Sequence, residues 1–307
     1  MSARVTVAIP TLNAGHCLQR LLPALQEQTI PCEIIIIDSS SSDDTVGIAE
    51  SYGTKIITIK REDFDHGGTR NLAVQSAQGE FVIFFTQDAV PANEHAVENL
   101  IEPFRNERTG AAYGRQLPNP DASLLAKHMR LFKYPAQPRL KSAQDKDKYD
   151  VETPFLSDSF SAYRKKALLE IGLFKQGILF AEYVHAGARL ILAGYVIAYA
   201  PDAAVYHSHN HTMVEECRRY FDTGVFYRSE AWIGEAFGGN RREAWAYTSS
   251  EFSYVREYGN VLQLMELFPR TALRAIGFLL GRWHRILPRG LCRRLSAHPS
   301  WWGRKQG

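Results

Sequence analysis

The chain has 307 residues, with 36 Lys/Arg, 33 Asp/Glu and a formal net charge of +3, room for one large or two modest domains with a sizeable core. Its four cysteines, Cys17, Cys32, Cys217 and Cys292, are scattered and form no CxxC pair, which argues against a zinc module and for a reducing compartment. No stretch reaches the roughly 18 uncharged apolar residues of a membrane span, and Met1-Ser2-Ala3-Arg4 leads straight into strand-like sequence, so neither a transmembrane segment nor a signal peptide is expected. The charge is unevenly spread: residues 270–307 hold nine Lys/Arg and no Asp/Glu, leaving 27 basic against 33 acidic residues elsewhere. A basic end on an acidic body points to a polyanionic partner, membrane surface or nucleic acid.

Residues 5–9 read as a first strand ended by Pro10, with a polar turn at Thr11-Leu12-Asn13-Ala14-Gly15. Residues 16–28 read as an amphipathic helix with Leu18, Leu21, Leu22 and Leu25 on one stripe. A second buried strand over 33–38 ends on Asp38, and a helix over 45–52 leads to a third strand over 55–59. This alternation is the doubly wound α/β pattern. No GxGxxG follows Ile9 or Ile37, so the dinucleotide fingerprint is missing. Asp38, at a strand end, either caps the next helix or accepts hydrogen bonds from a ribose or a base. Gly67-Gly68 reads as a tight turn permitting close backbone approach, before a helix over 72–78. Arg70 at that helix's start gains nothing from its dipole. Its fork suits a diphosphate; the alternative is a salt bridge to Asp63 or Asp65.

Residues 81–85, Phe-Val-Ile-Phe-Phe, form a continuous apolar run too short for a helix, as in a central parallel strand covered on both faces. It ends at Thr86-Gln87-Asp88, where ligands of open α/β sheets bind. A carboxylate there either caps a turn or holds a divalent cation that in turn holds a diphosphate. A helix over 94–104 and a strand over 110–116 follow. Residues 118–152, rich in proline and charge, read as a mobile excursion over the site, helical at 122–132. Strand character returns over 155–163, then a helix over 164–171. Glu182 stands near the N-terminus of a helix running through Leu192, where a carboxylate is favoured. After a strand over 195–199, His207, His209 and His211 alternate onto one side of an extended segment. One of them could complete the coordination of a cation on Asp88; imidazole suits Mn²⁺ better than Mg²⁺. Residues 215–232 and the chain from Trp245 onward read as helical. There, apolar residues are interleaved with Arg270, Arg274, Arg282 and Arg285, and Trp283, Trp301 and Trp302 add interfacial anchors. This reads either as a basic amphipathic helix on an anionic membrane or as a helix packed on the body of the protein.

Val7-Ala8-Ile9-Pro10-Thr11-Leu12-Asn13, the Ile34 to Asp43 stretch, Gly68-Thr69-Arg70-Asn71 and Phe84-Phe85-Thr86-Gln87-Asp88 together resemble family 2 glycosyltransferases. Phe64 to Asn71, Thr86 to Ala89, Tyr206 to Asn210 and Leu295-Ser296-Ala297-His298 are similar to the bacterial rhamnosyltransferases of O-antigen and surface polysaccharide assembly. The resemblance covers nearly the whole chain. It implies a GT-A fold, a Rossmann-like mixed sheet flanked by helices, over residues 1–240, and a helical, basic, amphipathic, membrane-associating extension over 241–307. It implies an inverting transfer of L-rhamnose from dTDP-β-L-rhamnose, with Mg²⁺ or Mn²⁺ as cofactor.

Carried over by residue, the resemblance implies that Thr11, Asn13, Asp38, Arg70, Gln87 and Asp88 line the nucleotide-sugar site, with Asp88 and His207 on the metal. The usual Asp-x-Asp reads Thr86-Gln87-Asp88 here, so one carboxylate is missing. The usual Glu-Asp that supplies the base reads Glu182-Tyr183, and a tyrosine with an ordinary pKa of about 10 is a poor base at neutrality. Three readings stay open: Glu182 is the base, Asp158 is the base, or Tyr183 marks an impaired, glycan-binding homologue. The expected partners are a nucleotide-sugar, a lipid-linked oligosaccharide acceptor and the inner face of the cytoplasmic membrane, with the protein cytoplasmic and peripheral; a homo-oligomer is left open. Another UDP-, GDP- or dTDP-sugar is the alternative donor. Nucleic acid is not an expected partner, since the basic residues lie in an apolar terminal segment without a reader motif.

Overall fold

The computed structural model describes residues 5–239 and 241–303. The elements run β1 (Val5–Thr11), α1 (Gly15–Gln26), β2 (Cys32–Asp38), α2 (Thr45–Ser51), β3 (Lys55–Thr58), α3 (His66–Ser76), β4 (Phe81–Phe85), β5 (Val90–Pro91), α4 (Ala96–Ile101), β6 (Thr109–Leu117), α5 (Leu124–Lys133), β7 (Arg139–Lys141) and α6 (Lys146–Tyr149). Then come β8 (Phe160–Arg164), α7 (Lys165–Glu170), α8 (Glu182–Leu192), β9 (Val196–Tyr206), α9 (Met213–Ser229), α10 (Ala231–Phe237), α11 (Arg241–Tyr258), α12 (Val261–Arg282), α13 (Arg289–Leu295) and α14 (Pro299–Gly303).

One mixed sheet of nine strands carries the site. Its order is β3-β2-β1-β4-β8-β6-β9-β5, with β7 also paired to β9. The strands β1, β2, β3 and β4 are parallel, so Thr11, Asp38 and the turn after Phe85 lie on one edge. Every residue of β4 is buried, as its unbroken apolar run requires. Val82 and Phe84 pack on one face with Ile35, Ile37 and Phe174; Phe81, Ile83 and Phe85 pack on the other with Ile36 and the leucine stripe of α1. The antiparallel β8 sets Phe160 opposite Phe85, and β5 sets Val90 opposite Tyr206. These two registers bring Asp158 and His207 to the end of β4.

Four local expectations change. The strand β1 runs through Pro10 to Thr11, because proline at a strand end costs only the ladder bond its missing N–H would make. The helix α3 begins at His66, so Gly67 and Gly68 lie inside it rather than in a turn. Asp65 caps it by accepting from the Gly68 N–H at 2.7 Å. Gly67 is needed for close approach: a Cβ there would stand 2.1 Å from the Lys175 carbonyl oxygen. The strand β9 continues past Tyr199 to Tyr206, with a register shift where it pairs Gly114 and Arg115. The expected excursion over 118–152 is tied down. Lys133 pairs with Glu152 and Glu243, and Lys141 donates to the Glu152 and Phe155 carbonyls.

The C-terminal helices overturn part of the charge argument. Arg270 and Arg274 do not face outward but are buried on the inner side of α12. Arg270 meets Glu216 at 2.8 Å; Arg274 meets Glu216 at 2.7 Å and Glu251 at 2.6 Å. The helix α12 lies so close to α9 that a Cβ on Gly281 would stand 2.0 Å from the Phe221 carbonyl oxygen. Its outer side is the apolar one: Val261, Leu262, Met265, Phe268, Ile276 and Leu279 are exposed. No helix of the described residues is long and apolar enough to cross a membrane.

The Arg274→Met variant leaves Glu216 and Glu251 buried with less counter-charge. Its unfolding free energy should fall by about 3–5 kcal/mol, measured by urea titration; a loss under about 1 kcal/mol would show that the pair carries little.

Candidate active site

Three groups of side chains meet beyond the end of β4. The first is the donor cluster Asp88, His207 and His209, whose candidate ligand atoms lie within 4.8 Å of one another. His207 Nε2 is 3.4 Å from Asp88 Oδ1, and His209 Nε2 is 3.5 Å from Asp88 Oδ2 and 3.1 Å from His207 Nε2. His211 lies behind, its ring tilted against that of His209 with centres 5.4 Å apart. Burial opposes ionisation of Asp88, but the hydrogen bond and charge of His207, with His209, outweigh it and hold the carboxyl well below the usual range.

The chemistry of this donor set fits a divalent cation. Two imidazole nitrogens 3.1 Å apart and a carboxylate converge on one point. His207 is pre-oriented: its Nδ1 donates to Gln116 Oε1 at 3.0 Å, and Gln116 in turn donates to Ser157 Oγ at 2.6 Å. That fixes the ring orientation, so that Nε2, once it carries no proton, turns its lone pair to a cation on the Asp88 side. Arg130 Nε donates to the His207 carbonyl at 2.7 Å and fixes the backbone as well. The second imidazole makes up in part for the missing carboxylate, and imidazole favours Mn²⁺ over Mg²⁺.

The second group is the triad Arg70, Glu182 and Asp158. Arg70 Nε donates to Glu182 Oε1 at 2.6 Å, and a terminal nitrogen of Arg70 is 3.7 Å from Asp158 Oδ2. The guanidinium lies over the Phe84 ring, 4.7 Å from its centre. Arg70 and Glu182 are buried, whereas the Asp158 side chain is 39% exposed. Neither sequence alternative for Arg70, Asp63 or Asp65, is its partner. Tyr183 adjoins the triad; burial first, then the charges of Asp158 and Glu182, push its hydroxyl well above 10.

The third group is the loop pair after β1 and β2. Asp38 is buried and organises its own loop, accepting from Thr11 Oγ1 at 3.2 Å, Ser41 Oγ at 2.5 Å and the Ser41 N–H at 2.9 Å. Asn13, exposed and at φ 49°, accepts from the Ser42 N–H at 2.8 Å. Gln87 accepts from the Leu12 N–H at 3.0 Å and so fastens β4 to this loop. Thr11, Asn13, Asp38 and Gln87 thus form one hydrogen-bonded rim, beside the donor cluster. Sequence reasoning left out Gln116 and Arg130, and it assigned only His207 of the histidines. The alternation of imidazoles marked His209; nothing local marked Gln116, whose position depends on β6 pairing with β9.

A mixed sheet with a nucleotide-type rim, a cation-type donor set and a half-exposed carboxylate at one edge is the layout of a nucleotide-sugar transferase. The family-wide sequence profile described as Glycosyl transferase family 2 matches residues 6–172. The chain is 40% identical to the O-antigen chain rhamnosyltransferase WbaN of Salmonella anatum, over 98% of this chain and 96% of that one. It is 39% identical to the O-antigen chain rhamnosyltransferase RfbN of Salmonella typhimurium, over 99% and 97%. Among solved structures, the mannosyltransferase PcManGT of Pyrobaculum calidifontis, in complex with GDP-Man and Mn²⁺, superposes with a TM-score of 0.60 at 18% identity, over 99% of this chain and 86% of that one. TarS 1-349 of S. aureus in complex with UDP-GlcNAc superposes with a TM-score of 0.56 at 18% identity, over 95% and 84%. These two likenesses concern the fold. The chain belongs to glycosyl transferase family 2 and is an inverting glycosyltransferase of GT-A-like fold.

In Mn²⁺ titrations followed by calorimetry, Asp88→Ala should abolish binding, and Gln116→Ala should weaken it about 10–100-fold. Wild-type affinity in the Asp88→Ala protein would remove the cation from this cluster.

Proposed function

We propose that the protein transfers L-rhamnose from dTDP-β-L-rhamnose to a hydroxyl of a lipid-linked glycan in surface polysaccharide assembly, at the cytoplasmic face of the membrane. The observation that carries this reading is the full-length similarity to two enzymes described as O-antigen chain rhamnosyltransferases. The geometry supports a division of labour. Thr11, Asn13, Asp38 and Gln87 form the rim for the nucleoside. Asp88, His207 and His209 would hold Mn²⁺ or Mg²⁺, which when bound supplies positive charge to the leaving diphosphate.

Asp158 is the base in this reading. It is the one carboxylate of the triad with half-open access, while Glu182 is buried against Arg70. Asp158 takes the proton of the acceptor hydroxyl as that oxygen attacks the anomeric carbon. The bond to the diphosphate breaks on the opposite face, so a β-linked donor gives an α-rhamnoside. Glu182 fixes Arg70, and Arg70 orients Asp158. Tyr183, with its hydroxyl held protonated, packs beside Asp158 without taking the proton.

The test is release of dTDP from dTDP-L-rhamnose beside UDP- and GDP-sugars, with Mn²⁺ and a lipid-linked glycan. Asp158→Asn should lower kcat about 10²–10⁴-fold with little change in Tm. Tyr183→Phe should stay within a few-fold of wild type. Preference for a UDP- or GDP-sugar would overturn the donor, and an active Asp158→Asn protein would overturn the base.

The outward apolar stripe of α12 supports an anionic bilayer as the docking surface. Phe268 is 68% exposed and Leu262 77%, and beyond the helix Ile286 is 80% exposed; Arg282, Arg285, Arg293 and Arg294 are exposed in the same C-terminal stretch. Apolar insertion beside basic residues is the pattern of a helix lying in an interface. Leu262→Glu with Phe268→Glu should release the protein from vesicles rich in anionic phospholipid, measured by co-sedimentation. Unchanged vesicle binding would overturn the bilayer as occupant, and a dimer turned monomer by the same changes would assign the stripe to a second copy.

A further inference from the structure

After α13 the chain turns back toward the active site, and residues 296–302 are fastened there at several points. Asp222, on α9, is 1% exposed and accepts from the Ala297 N–H at 2.9 Å. Burial pushes its carboxyl up to about 6, against hydrogen bonds from Ser296, Ala297 and His298. Trp301 Nε1 donates to the Gly177 carbonyl at 3.2 Å, and Trp302 packs with Leu179 and Phe221.

This docking delivers one imidazole to a defined place. The His298 ring stands edge-on to the His66 ring, with centres 5.4 Å apart and an interplanar angle of 89°. It lies parallel to the Phe180 ring at 6.2 Å and 16°. His66 opens α3, one turn before Arg70, and Phe180 stands two residues before Glu182. His298 therefore touches the start of both segments that carry the buried Arg70–Glu182 pair. Burial first, then the charges of His66 and Arg219, push the imidazole down to about 4 against the pull of Asp158, so it is neutral in use. A neutral imidazole offers one donor and one acceptor, and flanking aromatic rings give an apolar floor. That combination binds the hydroxyls and the apolar face of a sugar.

We infer that His298, together with His66, forms the acceptor subsite: the two imidazoles hydrogen-bond hydroxyls of the acceptor sugar and present its nucleophilic oxygen to Asp158. The terminal segment is on this view part of the active centre. The inference rests on the transferase reading above.

The test uses the full chain. Donor hydrolysis without acceptor, and transfer with the lipid-linked glycan, are compared in wild type, His298→Ala and His298→Asn. His298→Ala should raise the acceptor KM about tenfold, with donor hydrolysis and Mn²⁺ affinity within twofold of wild type. His298→Asn keeps a donor and an acceptor and should recover part of the loss. An unchanged acceptor KM would overturn the inference. A parallel fall in donor hydrolysis, transfer and Tm would also overturn it, since that pattern belongs to a merely structural contact. Absence of transfer to the lipid-linked glycan from any nucleotide-sugar by the wild-type chain would overturn the transferase reading and this inference with it.

Discussion

The buried contact between Arg70 and Glu182 joins parts of the chain 112 residues apart. One partner comes from the helix α3, which packs on the β1–β2 half of the sheet, and the other from the first turn of α8, on the β6–β9 half. Two charges removed from water at 2.6 Å are tolerable only if both stay matched. The match therefore fixes how far the two halves can slide past each other. The guanidinium also rests on Phe84 in the central strand, so the pair is referenced to the sheet itself. Asp158 gains its place from the same cation. The Asp158 side of the candidate site is thus set by an interaction that faces inward, while the Asp88 side is set by β-strand register.

These two sources of order have different tolerances. His207 and Asp88 meet because β9 pairs with β5 and β6, and a one-residue slip would turn His207 to the other face. Gln116 gives a second check on that register, since it reaches His207 only from the neighbouring position on β6. The donor cluster is thereby built on strands and on one short turn, which suits a task that needs fixed geometry. The rim proposed for the nucleotide is softer. It consists of loops held by side-chain bonds such as Gln87 to Leu12 and Asn13 to Ser42, and loops can adapt to a ligand.

What the sequence made legible was what local pattern determines. The run Phe81–Phe85 declared a strand buried on both faces, and the stripe of Leu18, Leu21, Leu22 and Leu25 declared the helix that covers it. The strand-end carboxylates Asp38 and Asp88 and the alternating histidines marked the edge where the site forms. Misread features had causes far away in sequence. Gly67 looked like a turn residue because the Lys175 carbonyl that demands it lies on a distant segment. Arg270 and Arg274 looked like surface charge because Glu216 and Glu251 are brought to them only by helix packing, across 58 residues for the Arg274–Glu216 bond. Glu182 looked like a free carboxylate for the same reason. Residue type announced charge, but tertiary pairing decided which charges were available.

The helix α12 turns the usual amphipathic arrangement inside out, with arginines inward and large apolar side chains outward. Its exposed apolar surface is therefore not a detachable module. Cutting the chain before Val261 would strip counter-charges from Glu216 and Glu251 and uncover the close-packed flank of α9. Proteolytic shedding, or a shortened clone, would remove the apolar surface and leave a damaged core. Any engineering that makes the protein easier to handle in water has to act on the outward side chains one at a time and leave the helix in place.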